Sequence, residues 1–293
     1  MRNNTFILFL FTLFYLVNAL QAQVENAFSS VQFEQFQRTN SLYTPCNLDT
    51  NYSTSISLGN RSYTGLFRGV NRIYLDVEHQ LQKKNNSISH IGLLVKSENE
   101  GPLFRRNKIY GRYSQKLPLT SNLELCIGAS IGMVNSAFGA SQTSPGGSAT
   151  ALDMNVGLAI RYKNLQLGSA YQQITNSVLQ PLNQTFTLND YFNFHLNYGY
   201  NFNRQTGLRF DILDEWHQGN QHLLQAASEF YFLERIAVFV GVRDQRGISI
   251  GTGLKKIRIN QHHLQFHASY LLAKSYSAIK DNVIEFSIQF NIK

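Results

Sequence analysis

Three histidines, His262, His263 and His267, form the densest group of metal-capable side chains in the sequence. His263 and His267 share one face of an alternating segment, yet about 13 Å of strand separates them. Two ligands of one metal ion stand far closer. A polar strand face is therefore expected, with no metal or cofactor. His195 and Asn197 also share a polar face, with Ser287 far away in sequence. Nucleophilic hydrolysis needs a serine held against its histidine. Nothing in the spacing brings Ser287 to His195, so no enzyme is expected. Asp211, Asp214 and Glu215 precede Trp216. A cation at a loop is one reading of them, and a solvated strand end beside an interfacial Trp is the simpler one. Gly146-Gly147 lacks the Lys and the following helix of a phosphate loop and reads as external loop. Glu98-Asn99-Glu100-Gly101-Pro102 places acids beside a Gly-Pro turn. That is turn chemistry, or an ordered external or lumenal loop that meets a partner.

The elements that carry these residues are strands. Ile284, Phe286, Ile288, Phe290 and Ile292 alternate with Glu285, Ser287, Gln289 and Asn291. Strict period two means one apolar and one polar face. Such a strand needs a partner along its open edge, and closure onto a strand near residues 50–60 would supply one. The same alternation runs through Leu123–Met133, Leu152–Tyr162, Phe192–Phe202 and Leu264–Leu272. Many segments span ten or more residues, the length a tilted strand needs to cross a bilayer. A soluble two-layer sandwich uses shorter strands, of about 5–6 residues.

About fourteen strands can be drawn, an even number as a closed bacterial barrel requires. Expected turns at 83–87, 118–121, 163–164, 203–205, 233–234 and 256–257 are short. The alternate connections at 98–105, 136–150, 174–189 and 215–220 are longer, although 244–246 is not. Short turns at one end and long loops at the other fit an outer-membrane barrel. A sandwich gives no reason for that asymmetry.

Composition agrees. Charged residues make up 15% and aromatic residues 13% of the 293 residues. No run of about 18 apolar residues follows the N-terminus, which excludes a bundle of membrane helices. The net charge of +8 is spread along the chain. It argues against nucleic acid and is expected at strand ends that meet anionic headgroups. Arg2, an apolar run from Phe6 to Val17 and a polar stretch to Gln23 read as a cleaved signal peptide, residues 1–22, with Ala19 as the other cleavage point. Residues 23–49 form a short periplasmic or lumenal segment, with partial helical spacing through Phe28, Val31, Phe33 and Phe36. Residues 50–293 form the barrel. Cys46 and Cys126 are expected as two free thiols, since no spacing places them within bridging distance.

Four stretches, taken in order, resemble one family. They are Gln32-Phe33-Glu34-Gln35-Phe36 with Asn40 to Pro45; Ile91 to Val95 through Glu100-Gly101-Pro102-Leu103, with the strand Ile109 to Leu117 that follows; Tyr162-Lys163-Asn164-Leu165-Gln166-Leu167-Gly168; and Glu285 to Asn291. Together they resemble the type IX secretion system membrane proteins of the PorP/SprF kind. After Thr44-Pro45 the chain continues Cys46-Asn47-Leu48-Asp49 and keeps only the Pro of the family's usual segment. The resemblance implies an outer-membrane barrel, embedded in lipid, that serves secretion or gliding motility as a monomeric barrel within a hetero-complex. The implied partners are a secreted adhesin or enzyme with a C-terminal sorting domain, or periplasmic ring and peptidoglycan-binding components. It also points to Phe33, Gln35, Phe36, Glu100, Gly101 and Pro102 as partner-binding residues. The competing reading of a barrel is a porin or a channel for hydrophobic ligands.

Overall fold

The computed structural model describes residues 33–49, 51–81, 87–140, 145–182, 185–203, 205–217, 221–243, 247–273 and 281–293. The expected signal peptide and the first part of segment 23–49 lie outside them. Sixteen strands follow one another: β1 Thr54–Tyr63, β2 Val70–Gln80, β3 Ile88–Glu100, β4 Phe104–Pro118, β5 Leu123–Phe138, β6 Gly147–Tyr162, β7 Leu165–Gln172, β8 Val178–Leu179, β9 Phe186–Thr187, β10 Tyr191–Asn201, β11 Gly207–His217, β12 Gln221–Phe232, β13 Ile236–Arg243, β14 Gly247–Ile259, β15 His262–Ala273 and β16 Val283–Ile292. Fourteen of them close a barrel, each paired with its neighbours, while β8 and β9 pair only with each other. The seam is antiparallel and runs from Thr54 opposite Ile292 to Tyr63 opposite Val283. The edge that the last alternating segment would expose is thus paired along its length. In hydrocarbon this matters, because no water is there to take an unpaired N–H or C=O.

The alternation has the opposite sense to that of a soluble sheet. Outward positions carry the apolar set: Ile127, Ile131 and Met133 on β5, Leu152 to Ile160 on β6, Phe286 and Ile288 on β16 are all exposed. Inward positions carry the polar set, with Arg61, Asp76, Glu98, Arg106, Asp153 and Glu229 buried. A band of exposed Ile, Leu and Val on a long-stranded barrel is the surface that lipid covers. Aromatic side chains flank it. Phe192, Phe194 and Trp216 lie outward toward the long-loop end, and Tyr162, Tyr200, Phe202, Phe230 and Phe232 toward the short-turn end. Trp216 lies outward at that level, but the strand end before it is not solvated as expected: Asp211 and Glu215 point into the lumen and are buried. By the rule that periplasmic turns are short, residues 163–164, 233–235 and 260–261 face the periplasm.

Several expectations need correction. The turn placed at Lys256-Ile257 is a bulge between Leu254 and Ile257. β14 continues to Ile259, and the chain reverses at Asn260, whose φ of 56° suits Asn. The long loop at 98–105 shrinks to three residues, because strand pairing continues through Glu98 opposite Arg106 and Asn99 opposite Arg105. The loop at 136–150 likewise shrinks to 139–146, of which 141–144 lie outside the described residues. The connection 173–190, of which 183–184 lie outside the described residues, is the longest between neighbouring barrel strands and carries β8 and β9. The positive charge expected at headgroups lies in good part in the lumen, where Arg61, Arg72, Lys96, Arg106, Lys108, Arg112 and Arg243 are buried. The helical spacing before Pro45 becomes two single 3-10 turns, Phe36–Arg38 and Asn40–Leu42, separated by extended Thr39. Three residues per turn cannot nucleate a stable α-helix.

Ile131 lies midway along β5 and is 52% exposed. Ile131→Arg is expected to lower folding stability in bilayers by about 2–4 kcal/mol, read from urea titration of tryptophan emission. An unheated detergent sample should also migrate differently on a gel from a boiled one.

Candidate functional site: a plugged lumen above a periplasmic vestibule

Residues 33–49 lie inside the barrel. Glu34 and Gln35 lie near the long-loop end, where Glu285 of β16 accepts the backbone N–H groups of Glu34 at 2.7 Å and Gln35 at 2.9 Å. The Gln35 amide donates to Ser269 Oγ at 2.9 Å and accepts from Ser287 Oγ at 2.6 Å. The Glu34 carboxylate meets Arg61 at 3.1 Å and Arg243 at 3.5 Å. All of these groups are buried. A buried charge needs such partners, because desolvation otherwise costs several kcal/mol (about that order).

The segment then crosses toward β11 and β12. Arg38 pairs with Glu229, whose other oxygen takes Lys255 at 2.6 Å. Arg209, held by Asp211 at 2.9 Å, donates to the Gln37 carbonyl at 3.1 Å. Phe33 meets Tyr74 edge to face, with centroids 4.8 Å apart, and Lys96 Nζ lies 5.9 Å from the Phe33 ring. The Tyr43 carbonyl accepts from Gln172 at 3.0 Å and Asn193 at 2.9 Å. Pro45 passes over Gly128 and Gly157, where an added Cβ would stand 2.8 and 2.9 Å from Pro45 itself. These two glycines make the groove that the chain descends. Asn47 reaches Glu78 near the periplasmic rim.

The long external connection closes the lumen from above. Leu179 and Leu188 are 1% exposed and share one buried cluster with Phe33, Phe36, Leu42 and Tyr43. Thr175 and Ser177 donate to the Leu152 carbonyl at 3.0 and 2.6 Å, which fastens the connection to β6. Below the plug the lumen opens into a vestibule of about 490 Å³ at the short-turn end. Its wall is rich in side-chain amides, among them Asn164, Gln166, Asn197, Gln265, Gln289 and Asn291. Such a wall can donate and accept at once, which suits a polar chain rather than an apolar ligand.

The sequence-derived candidates separate into two places. Phe33, Gln35 and Phe36 are buried in the plug at 0%, 1% and 3% exposure. Glu100, Gly101 and Pro102 sit at the external β3–β4 turn, with Glu100 paired to Arg72 at 2.5 Å and Gly101 at φ +86°. The histidines do not converge: His267 lies over Gly253, His263 beside Tyr52 and His262 beside Phe290. No group of three His, Cys, Asp or Glu stands close enough for a metal ion among the described residues. Ser287 bonds Gln35, Asn197 bonds Asp211, and His195 lies over Gly168 beside Tyr43. Asp214 faces His222, and Glu215 faces His217. The lumenal ion pairs Glu34–Arg61 and Arg38–Glu229 escaped sequence reasoning. Their signal was a charged residue on the polar face of a long alternating strand.

Comparisons with known proteins follow the same lines. A family model described as type IX secretion system membrane protein PorP/SprF matches residues 25–290. No curated protein matches. Among solved structures, the toluene transporter TbuX of Ralstonia pickettii is similar at TM-score 0.57 and 11% identity, over 83% of this chain and 90% of that one. The toluene transporter TodX of P. putida is similar at 0.56 and 10%, over 84% and 91%. The outer membrane protein Omp33 of Acinetobacter baumannii is similar at 0.52 and 9%, over 82% and 98%. At such identities these likenesses speak to the fold alone.

Glu34→Gln removes the charge that Arg61 and Arg243 share. Hydrogen exchange across 33–43 is expected to quicken as local opening becomes easier by about 3 kcal/mol, while the barrel strands keep their protection.

Proposed function

The chain belongs to the type IX secretion system membrane protein PorP/SprF family, and from that premise we propose that it is a docking component rather than a conduit. It lies in the outer membrane. Its clients on this reading are secreted proteins with a C-terminal sorting domain, held for export or surface attachment, or periplasmic parts of the apparatus. One observation carries the reading: the lumen is filled by residues 33–49 and capped by 173–190, while an amide-lined vestibule opens to the periplasm. A filled lumen passes little, and a polar vestibule offers hydrogen bonds to a polypeptide. The external turn with Gly101 and Pro102 supplies the second surface. Phe33, Gln35 and Phe36 act on this reading by holding the plug, and they meet a partner only if the plug leaves the lumen.

The second reading is a porin or a channel for hydrophobic ligands. It is favoured by the fold shared with toluene transporters. The vestibule wall weighs against an apolar cargo, because an apolar ligand would leave its amides without partners.

Two measurements separate the readings. In planar bilayers the intact protein is expected to show no steady conductance, and replacing residues 33–49 by a Gly-Ser linker should open one. Steady solute-selective currents from the intact protein would favour the channel. In cells, a photo-crosslinking residue at Pro102 should capture a secreted sorting-domain protein and one at Asn164 a periplasmic component. The same residue at lipid-facing Ile131 should capture neither.

A further inference from the structure

The chain has only two cysteines. They stand 80 residues apart in sequence, one in the plug and one in the barrel wall, and the fold brings them together. Cys46 is 2% and Cys126 0% exposed, and with Leu48 and Ala159 they make one closed cluster. Cys46 Sγ donates to the Cys126 carbonyl at 3.5 Å, and Cys126 Sγ donates to the Asn47 carbonyl at 3.4 Å. Each thiol thus reaches the backbone of the segment that carries the other. Both are free in this structure. Nothing in their sequence spacing brings them together; the two-glycine groove at Gly128 and Gly157 does so by seating Pro45 directly beside β5.

We propose that Cys46 and Cys126 are a disulfide site, and that the bond fastens the plug to the wall of the barrel. Location supports the chemistry. An outer-membrane protein crosses the periplasm, where thiols are oxidised and disulfides persist. Two isolated cysteines meeting across the plug–wall contact is what a staple requires. The inference stands on that contact and on the outer-membrane location, independently of the docking reading.

The oxidant is a periplasmic protein of the dithiol–disulfide oxidoreductase class in its disulfide form. The Cys126 thiolate attacks one sulfur of that disulfide, and the oxidant's S–S bond breaks. A mixed disulfide forms, and the other sulfur leaves as a thiolate that takes up the Cys126 proton. Cys46 then attacks Cys126 Sγ. The Cys46–Cys126 bond forms, the mixed disulfide breaks, and the departing sulfur takes the Cys46 proton. Two electrons pass to the oxidant, which ends as a dithiol. Cys126 lies only three residues into β5 from the periplasmic turn, so the exchange occurs at the rim while the segment is being seated, before the cluster closes.

The test uses the full protein in outer membranes. The membranes are quenched in acid, denatured and treated with a mass-tagging maleimide, with and without prior reductant. The expected result is no tag before reduction and two after it. Cys46→Ser should carry one tag without reductant. One or two tags on the unreduced native protein would overturn the assignment. So would a Cys126 that stays blocked in Cys46→Ser, since its partner would then be another molecule. Hydrogen exchange across 44–49 reports on the fastening and should quicken about tenfold or more on reduction of the folded protein. An unchanged rate would overturn that role.

Discussion

Backbone pairing without water is the constraint on which the rest of the structure depends. A strand in hydrocarbon must give every N–H and C=O to a neighbour. The ladder between β1 and β16, from Thr54 opposite Ile292 to Tyr63 opposite Val283, meets that demand at the last open edge. Closure has a consequence for side chains. With lipid outside, the apolar face of each strand must point outward, so the polar face must point into the lumen. The residues that look like catalytic or metal-binding groups in the sequence are there because of this inversion. His195, His267 and Ser287 sit on lumen-facing positions and pack or bond within the wall and plug.

A lumen lined with charge creates its own problem, since buried ions need partners. The plug answers it from one side and the wall from the other. Glu34 brings a carboxylate to Arg61 and Arg243, and Arg38 brings a guanidinium to Glu229. Glu285 joins the two levels of organisation. It belongs to the strand that seals the barrel, and it holds the first backbone groups of the plug. Loss of the plug would leave these charges facing each other across an open channel.

The fold was largely legible because period two is a local signal. Strand number, the seam and the inward polar face all follow from alternation in segments such as Val283–Ile292. What was not legible lay in contacts between distant parts of the chain. The three-residue turn at 101–103 depends on Glu98 standing opposite Arg106 and Asn99 opposite Arg105, which a reading of single segments cannot see. The bulge at Leu254/Ile257 looked like a turn because both bring a positive φ and polar residues. The plug was the hardest. Its residues carry little periodicity, and their place is set by two glycines on β5 and β6 and by charges on β1, β12, β13 and β16. Composition alone could not tell a periplasmic tail from a lumenal plug.

The plug's mixed chemistry divides the labour between adhesion and placement. Phe33, Phe36, Leu42 and Tyr43 pack with Leu179 and Leu188 in one buried cluster. Each such side chain contributes about 1.5–3 kcal/mol on burial, so adhesion resides there. Buried ion pairs give back in desolvation much of what they gain by attraction. Glu34 and Arg38 therefore fix where the segment sits more than how tightly it is held. An apolar plug alone could slide along an apolar wall, and a charged plug alone would exchange its partners for water. Together they define one seat, and the cap at 173–190 completes the apolar half of it. The external loop and the N-terminal segment are thus parts of a single closure, and a partner that displaced the cap would also loosen the plug beneath it.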